Sequence, residues 1–327
     1  MQRWLSWRRL AWLVAAGAGV GCAGLGFARA QQKQEASEPA FEMLPVQGNI
    51  HVLVGAGGNI AVQIGPQGTL VVDSGLAKQS EDVLAAIRKL TAKPIQYIIN
   101  THVHPDHTGG NDLLRKTGKT YTGTNVTGNP SDVKAGAQII AHNNVLVRMN
   151  APAGPRSSMP VEFWPTLTYS GASKQMLFNG ERIEILHQPE AHTDGDSFVF
   201  FRGSDVISAG DIFLSAFYPF IDVELGGSIQ GEIEALNHLV KLAVPSRQEK
   251  GGTSVIPGHG QIVGRREVVQ YRDMVSLLRD KIQAAIKSGM TLAQIKAANL
   301  TVDYDSRYGP KGDYFIESVY KSLTQAR

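Results

Sequence analysis

The sequence predicts an α/β fold. Three observations carry that expectation. Short β-like runs separated by glycine turns fill two halves of the chain, amphipathic helices lie between and after them, and four segments bearing His or Asp each follow a strand-like run.

In the first half, Ile50–Val54, residues 61–64 and residues 70–73 are β-branched and aliphatic runs, separated by Gly55, Gly57-Gly58 and Gly65-Pro66. Ser80–Leu90 then reads as a helix. Val83, Ile87 and Leu90 recur at i, i+4 and i+7, and Glu81 and Asp82 sit at the helix start, where the dipole favours negative charge. Residues 95–100 have the aliphatic content of a buried strand. The second half repeats the pattern. Residues 182–187, 198–201 and 206–208 read as strands, 231–242 as a helix and 254–256 as another strand. Residues 267–287 form a long amphipathic helix with Tyr271, Val275, Leu278, Ile282 and Ile286 on one stripe, and one or two helices follow Met290. Residues 151–165 carry four prolines with Met159, Phe163 and Trp164, and are expected to be a loop that acts as a lid and sets specificity.

The first 30 residues are different material. Arg3, Arg8 and Arg9 precede an uncharged, small and apolar run from 11 to 27, and Ala28-Arg29-Ala30 offers a cleavage site. That layout predicts a secretory signal peptide spanning 1–30, with the mature chain beginning at Gln31 in the periplasm or outside the cell and keeping no stable membrane span. Arg8-Arg9 and Cys22 match twin-arginine and lipoprotein signals poorly. Residues 31–48 are expected to be a flexible lead-in and 49–327 a single catalytic domain. The leader holds four Arg and no acid, so the rest has 28 basic against 29 acidic residues and a net charge of −1. No basic patch then argues for nucleic acid, and a small-molecule substrate is expected. Cys22, the sole cysteine, leaves with the leader, so thiolate metal ligands are excluded from the mature chain.

The chemistry lies in four short segments. Thr101-His102-Val103-His104-Pro105-Asp106-His107-Thr108-Gly109-Gly110 is the first. Two histidines at i and i+2 of extended chain project to one side and can share an ion. Pro105 stops the strand from running straight into a helix, and Asp106 and His107 turn toward a second position. Glu190-Ala191-His192, Gly210-Asp211 and Gly258-His259-Gly260 follow other strands. Ligands at strand ends on one sheet edge converge without strain. The count assigns His102, His104 and His192 to one ion, and Asp106, His107 and His259 to a second, with Asp211 between them. Imidazole and carboxylate without thiolate suit zinc, here two ions per chain, and also iron or manganese.

The H-x-H-x-D-H run with Gly-Gly behind it, followed in order by His192, Asp211 and His259, resembles the metallo-β-lactamase superfamily. The resemblance implies a four-layer αββα sandwich with two metal ions at one edge. It also implies that Asp73 supports the site by hydrogen bonding, and that Asp106 orients a hydroxide that attacks a carbonyl of a small ester, lactone, lactam or thioester. Asp211 stands where many true β-lactamases have Cys or Ser and matches glyoxalase-like and lactonase-like branches. Residues 212–218 lack the Cys-Gly-Arg segment of the glyoxalase branch, and Leu214 replaces a lactonase Tyr. His104 departs from the diiron redox branch, which has Glu there. A β-lactamase proper, an iron-dependent redox or sulfur enzyme, and a non-catalytic zinc accessory protein stay open as alternatives. Trp164, Phe217 and Tyr218, with Phe220, are expected to line the substrate pocket. His51, His142, His187 and His238 lack neighbouring ligands and read as structural, and Asp194 and Asp196 as turn formers.

Overall fold

The computed structural model describes residues 41–121, 133–151, 159–246, 251–310 and 312–325. All of them fall in one compact unit, Pro39–Arg327, and the expected signal peptide lies outside the described residues. In chain order the elements are β1 (Glu42–Gln47), β2 (Ile50–Val54), β3 (Ile60–Gly65), β4 (Gly68–Val72), α1 (Ser80–Leu90), β5 (Ile95–Ile99), α2 (Pro105–Thr108), α3 (Asn111–Thr117), β6 (Lys119–Tyr121), β7 (Val133–Ala135), β8 (Gln138–His142) and α4 (Asn143–Asn150). Then come β9 (Leu167–Tyr169), β10 (Ser173–Phe178), β11 (Glu181–His187), β12 (Ser197–Phe201), β13 (Val206–Ser208), α5 (Ile229–Leu242), β14 (Ser254–Ile256), α6 (Arg265–Lys287), α7 (Leu292–Ala297), α8 (Asp305–Tyr308) and α9 (Asp313–Thr324).

Two sheets carry the architecture, ordered β1-β2-β3-β4-β5-β8-β9 and β10-β11-β12-β13-β14. The period-2 alternation of strand side chains sorts each sheet into two faces. Val52, Leu70, Val72 and Ile99 of the first sheet meet Ile183, Ile185, Val199 and Phe201 of the second in one buried cluster. The opposite face of the first sheet, with Leu53, Val62, Val71 and Ile98, is covered by Val83, Leu84 and Ile87 of α1 and Leu114 of α3. The opposite face of the second, with Phe198, Phe200, Ile207 and Val255, is covered by α5, α6 and α9. Helix, sheet, sheet and helix are thus the four layers expected.

Two readings are corrected here. The lead-in does not run to residue 48, because 42–47 pair antiparallel with β2 as the edge strand β1. An edge strand tolerates Pro45, whose missing N–H a central strand would need. The described part of the expected lid, residues 159–165, is built into the body. Met159 N–H donates to Met149 O at 2.9 Å, Asn111 Nδ2 donates to Phe163 O at 2.8 Å, and Met159 and Trp164 pack on Val103, Ala141, Val145 and Met149. Trp164 therefore serves packing behind the His102–His104 segment. Residues 152–158 of that loop lie outside the described residues.

The parallel pairs β4·β5, β5·β8 and β13·β14 bring their C-terminal ends to one edge of the sandwich. Asp73, the 100–107 turn, Asp211 and His259 all leave from those ends.

Candidate metal centre

The seven expected ligands come together. His102, His104, His192 and Asp211 form one group and Asp106, His107 and His259 a second, with the ligand atoms of each group all within 4.8 Å of one another. Asp211 sits between the groups: Oδ1 is 3.1 Å from His107 Nε2, while Oδ2 is 3.6 Å from His259 Nε2 and 3.9 Å from His192 Nε2.

The outer nitrogen of four of these imidazoles is held, which leaves the inner nitrogen aimed at the centre. His102 Nδ1 bonds Thr101 Oγ1 at 3.0 Å, and His107 Nδ1 bonds Asp73 Oδ2 at 2.8 Å. His192 Nδ1 meets the carbonyl of Phe220, and His104 Nε2 meets Asp222 Oδ2 at 3.0 Å. His104 Nδ1 then faces His192 Nε2 at 2.8 Å. Held outer nitrogens fix tautomer and ring orientation, as ligand histidines require. At the centre, His102 Nε2 is buried with no hydrogen-bond partner, and His107 Nε2 and Asp211 Oδ1, also buried, face only one another at 3.1 Å without a well-formed hydrogen bond. Buried polar atoms in this state are costly unless something satisfies them, so the donor set fits metal ions.

Asp73 hydrogen-bonds His107 and Thr101 from a turn conformation. Its backbone is left-handed, with φ of 65°, which Asp tolerates better than most residues. Oδ1 accepts the Thr101 N–H and Oδ2 accepts Thr101 Oγ1–H, each at 2.8 Å, besides the His107 contact. Two glycines make room. A Cβ on Gly58 would lie 2.5 Å from His107 Cε1, and one on Gly258 would collide with Asp211 Oδ1.

Charge is unevenly spread. Burial pushes His102 well below its ordinary pKa and His192 down to about 4, so both present neutral imidazoles at pH 7. Burial acts the same way on His107, but the carboxylates of Asp211 and Asp73 outweigh it and hold its proton. Burial alone would raise Asp106, yet His259 and His107 overcome it and keep this carboxylate below its usual range.

Several functional neighbours were invisible in the sequence. Asp222 orients His104 from 118 residues away. Asp196 is no exposed turn former. It is buried, accepts the Thr193 N–H at 2.8 Å and Thr193 Oγ1–H at 2.5 Å, and braces the His192 turn. Glu232 of α5 is fully buried with neither oxygen partnered, and burial together with Asp196 and Asp211 pushes it well above the carboxylate range. Three of the four histidines read as unpartnered are partnered: His142 and His187 stack at 3.6 Å, and His238 Nδ1 lies 3.0 Å from Gln188 Oε1, whereas His51 Nδ1 is buried with no hydrogen-bond partner. Tyr218 does not line a pocket. It is 1% exposed, its hydroxyl donates to Asp305 Oδ1 at 2.8 Å and lies 3.1 Å from Thr301 O, and its ring stacks on Phe315. Phe217 and Phe220 are exposed, and Phe220 stands beside His192 and His104, with ring centroids at 5.9 and 6.3 Å.

The sequence profile of the metallo-beta-lactamase superfamily matches residues 53–259, which hold the whole ligand set. The chain belongs to that superfamily. It is 25% identical over 257 residues to a linear primary-alkylsulfatase of Pseudomonas sp. (strain ATCC 19151), covering 68% of this chain and 46% of that protein. Among solved structures it is similar to the stereoselective inverting sec-alkylsulfatase Pisa1 from Pseudomonas sp., with a TM-score of 0.66 and 16% identity over 87% of this chain and 50% of that one. It is also similar to a metallo-beta-lactamase from Pontibacter korlensis, with a TM-score of 0.54 and 13% identity over 72% of this chain and 99% of that one. The superfamily chain described here spans about half the length of the alkylsulfatases it matches. Among the described residues, no helix is long and apolar enough to cross a membrane.

Proposed function

We propose that the protein is an exported, two-metal hydrolase of ester-type bonds in a small molecule. The observation that carries this reading is the double ligand group with Asp211 between its halves and unsatisfied buried atoms at its centre. Zinc bound there would supply Lewis acidity and would bring the pKa of water to about 7. The chain's own groups do the rest. His102, His104 and His192 form the more buried half, with His102 and His192 neutral, and Asp106, His107 and His259 the half that reaches solvent through Asp106 and His259. Asp106 stays ionised and partly exposed, so it can orient a water and take its proton. Export rests on the composition of residues 1–30, and a mass beginning at Gln31 in protein from the envelope fraction is the expected result. A mass that includes residues 1–30 would contradict it.

Asp211 bears on the leaving group. A carboxylate between the two metal positions adds negative charge there and weakens the available Lewis acidity, which matters most for a poor amine leaving group. An alkoxide asks less, so esters and lactones are expected to be better substrates than β-lactams. Sulfate esters are a second reading, favoured by the identity to the linear primary-alkylsulfatase. The test is kcat/KM on one zinc-loaded preparation for a lactone, a carboxylic ester, an alkyl sulfate and a chromogenic cephalosporin. The oxygen esters should lead by about tenfold or more, about 1.4 kcal/mol in the barrier. A cephalosporin leading by that factor would show the Asp211 argument to be wrong.

A further inference from the structure

Phe217 and Phe220 are the exposed phenylalanines among the described residues, at 49% and 41%, and they stand three residues apart in one loop. Scattered exposed apolar side chains are ordinary. These two are not scattered, because their loop runs along the metal centre. Its start is tied to the second ligand group: Leu214 bridges to His259, and Ser215 N–H donates to His259 O at 3.2 Å. Its end is tied to the first group, because the Phe220 carbonyl holds His192 Nδ1 and the Phe220 ring stands beside His104 and His192.

The loop is held from behind by chain beyond the superfamily match. Tyr218 turns inward and stacks on Phe315 with ring centroids 5.8 Å apart, and its hydroxyl reaches Thr301 O and Asp305 Oδ1 at 3.1 and 2.8 Å. Tyr314 Oη donates to Tyr218 O at 2.8 Å. With Tyr218 locked inward and Pro219 buried, Phe217 and Phe220 face out on a backbone that the C-terminal helices keep in place. An apolar strip that is held rigid loses little conformational entropy when a ligand covers it.

We propose that Phe217 and Phe220 form the wall along which the apolar chain of the substrate lies while its ester group sits at the metal centre, and that Thr301, Asp305, Tyr314 and Phe315 act as positioning residues for that wall. This rests on the hydrolase reading for the identity of the reacting group, and the wall itself can be tested without turnover. The probe is a series of straight-chain alkylphosphonates of two to eight carbons, whose binding to the zinc-loaded protein is measured by calorimetry. Each methylene covered by the wall should tighten binding by about two- to fourfold. Phe220→Ala and, separately, Phe217→Ala should flatten that dependence on chain length. Both should keep the native zinc content, since the group that holds His192 is the backbone carbonyl of residue 220. Binding that ignores chain length in the native protein, or a slope that survives in both variants, overturns the proposal. Chain-length dependence without hydrolysis of any ester would leave the wall standing and remove the hydrolase reading instead.

Discussion

Asp73→Ala is expected to destabilise the metal-free protein by about 3–5 kcal/mol, among the largest effects a single substitution here can have. The carboxylate is 1% exposed and serves three donors: the Thr101 N–H, Thr101 Oγ1–H and His107 Nδ1. Removing it strands them in the interior, at about 1–3 kcal/mol per unsatisfied group, with less than full additivity because Thr101 owns two of the three. The left-handed backbone at residue 73 adds a further cost for Ala. The same change frees the His107 ring, and loss of such an outer partner lowers metal affinity by about 10- to 100-fold. Urea unfolding of the chelated protein measures the first effect and competitive zinc titration the second. A loss of less than about 1 kcal/mol would mean that Asp73 is only a turn residue.

Much of the fold was legible because its signals are local. The boundaries of Ile50–Val54, Ser80–Leu90, Val206–Ser208 and Ser254–Ile256 matched the sequence reading, each marked by a run of one periodicity ended by turn residues. The ligands were legible for a related reason. The spacing of His102, His104, Asp106 and His107 is local and sits just beyond β5, although the bend after Ile99 and the distant Asp222 are what orient the rings. What escaped depends on distant partners. β1 is half-exposed and contains Pro45, so its alternation is faint until β2 pairs with it. Tyr218 and Phe220 are alike in the sequence, two aromatics in one loop, and only the C-terminal helices decide that one is core and the other faces solvent. Asp222 and Glu232 become neighbours of the site solely through packing, the first against His104 and the second fully buried on α5.

The second large effect concerns Asp211, and it bears on the central claim that one carboxylate joins two ligand groups into a single hydrolytic centre. Burial opposes its charge, yet His107 and the other histidines hold it well below the usual carboxylate range, so it is ionised where both groups can share it. Asp211→Ala removes a ligand of the first group and the carboxylate that lies between the two, and leaves His107, with no inward partner but Asp106 at 3.5 Å, surrounded by other imidazoles. A ligand should matter more than an outer partner, so kcat/KM for the best ester should fall by about 100-fold or more. The decisive measurement is zinc content by mass spectrometry alongside ester hydrolysis, on the same preparations of the native protein and the Asp211→Ala variant. Two zinc ions per native chain, one or fewer in the variant, and activity that falls with the lost metal are the expected result. A native chain that holds a single ion at full activity, or a variant that keeps both ions and its rate, would contradict it.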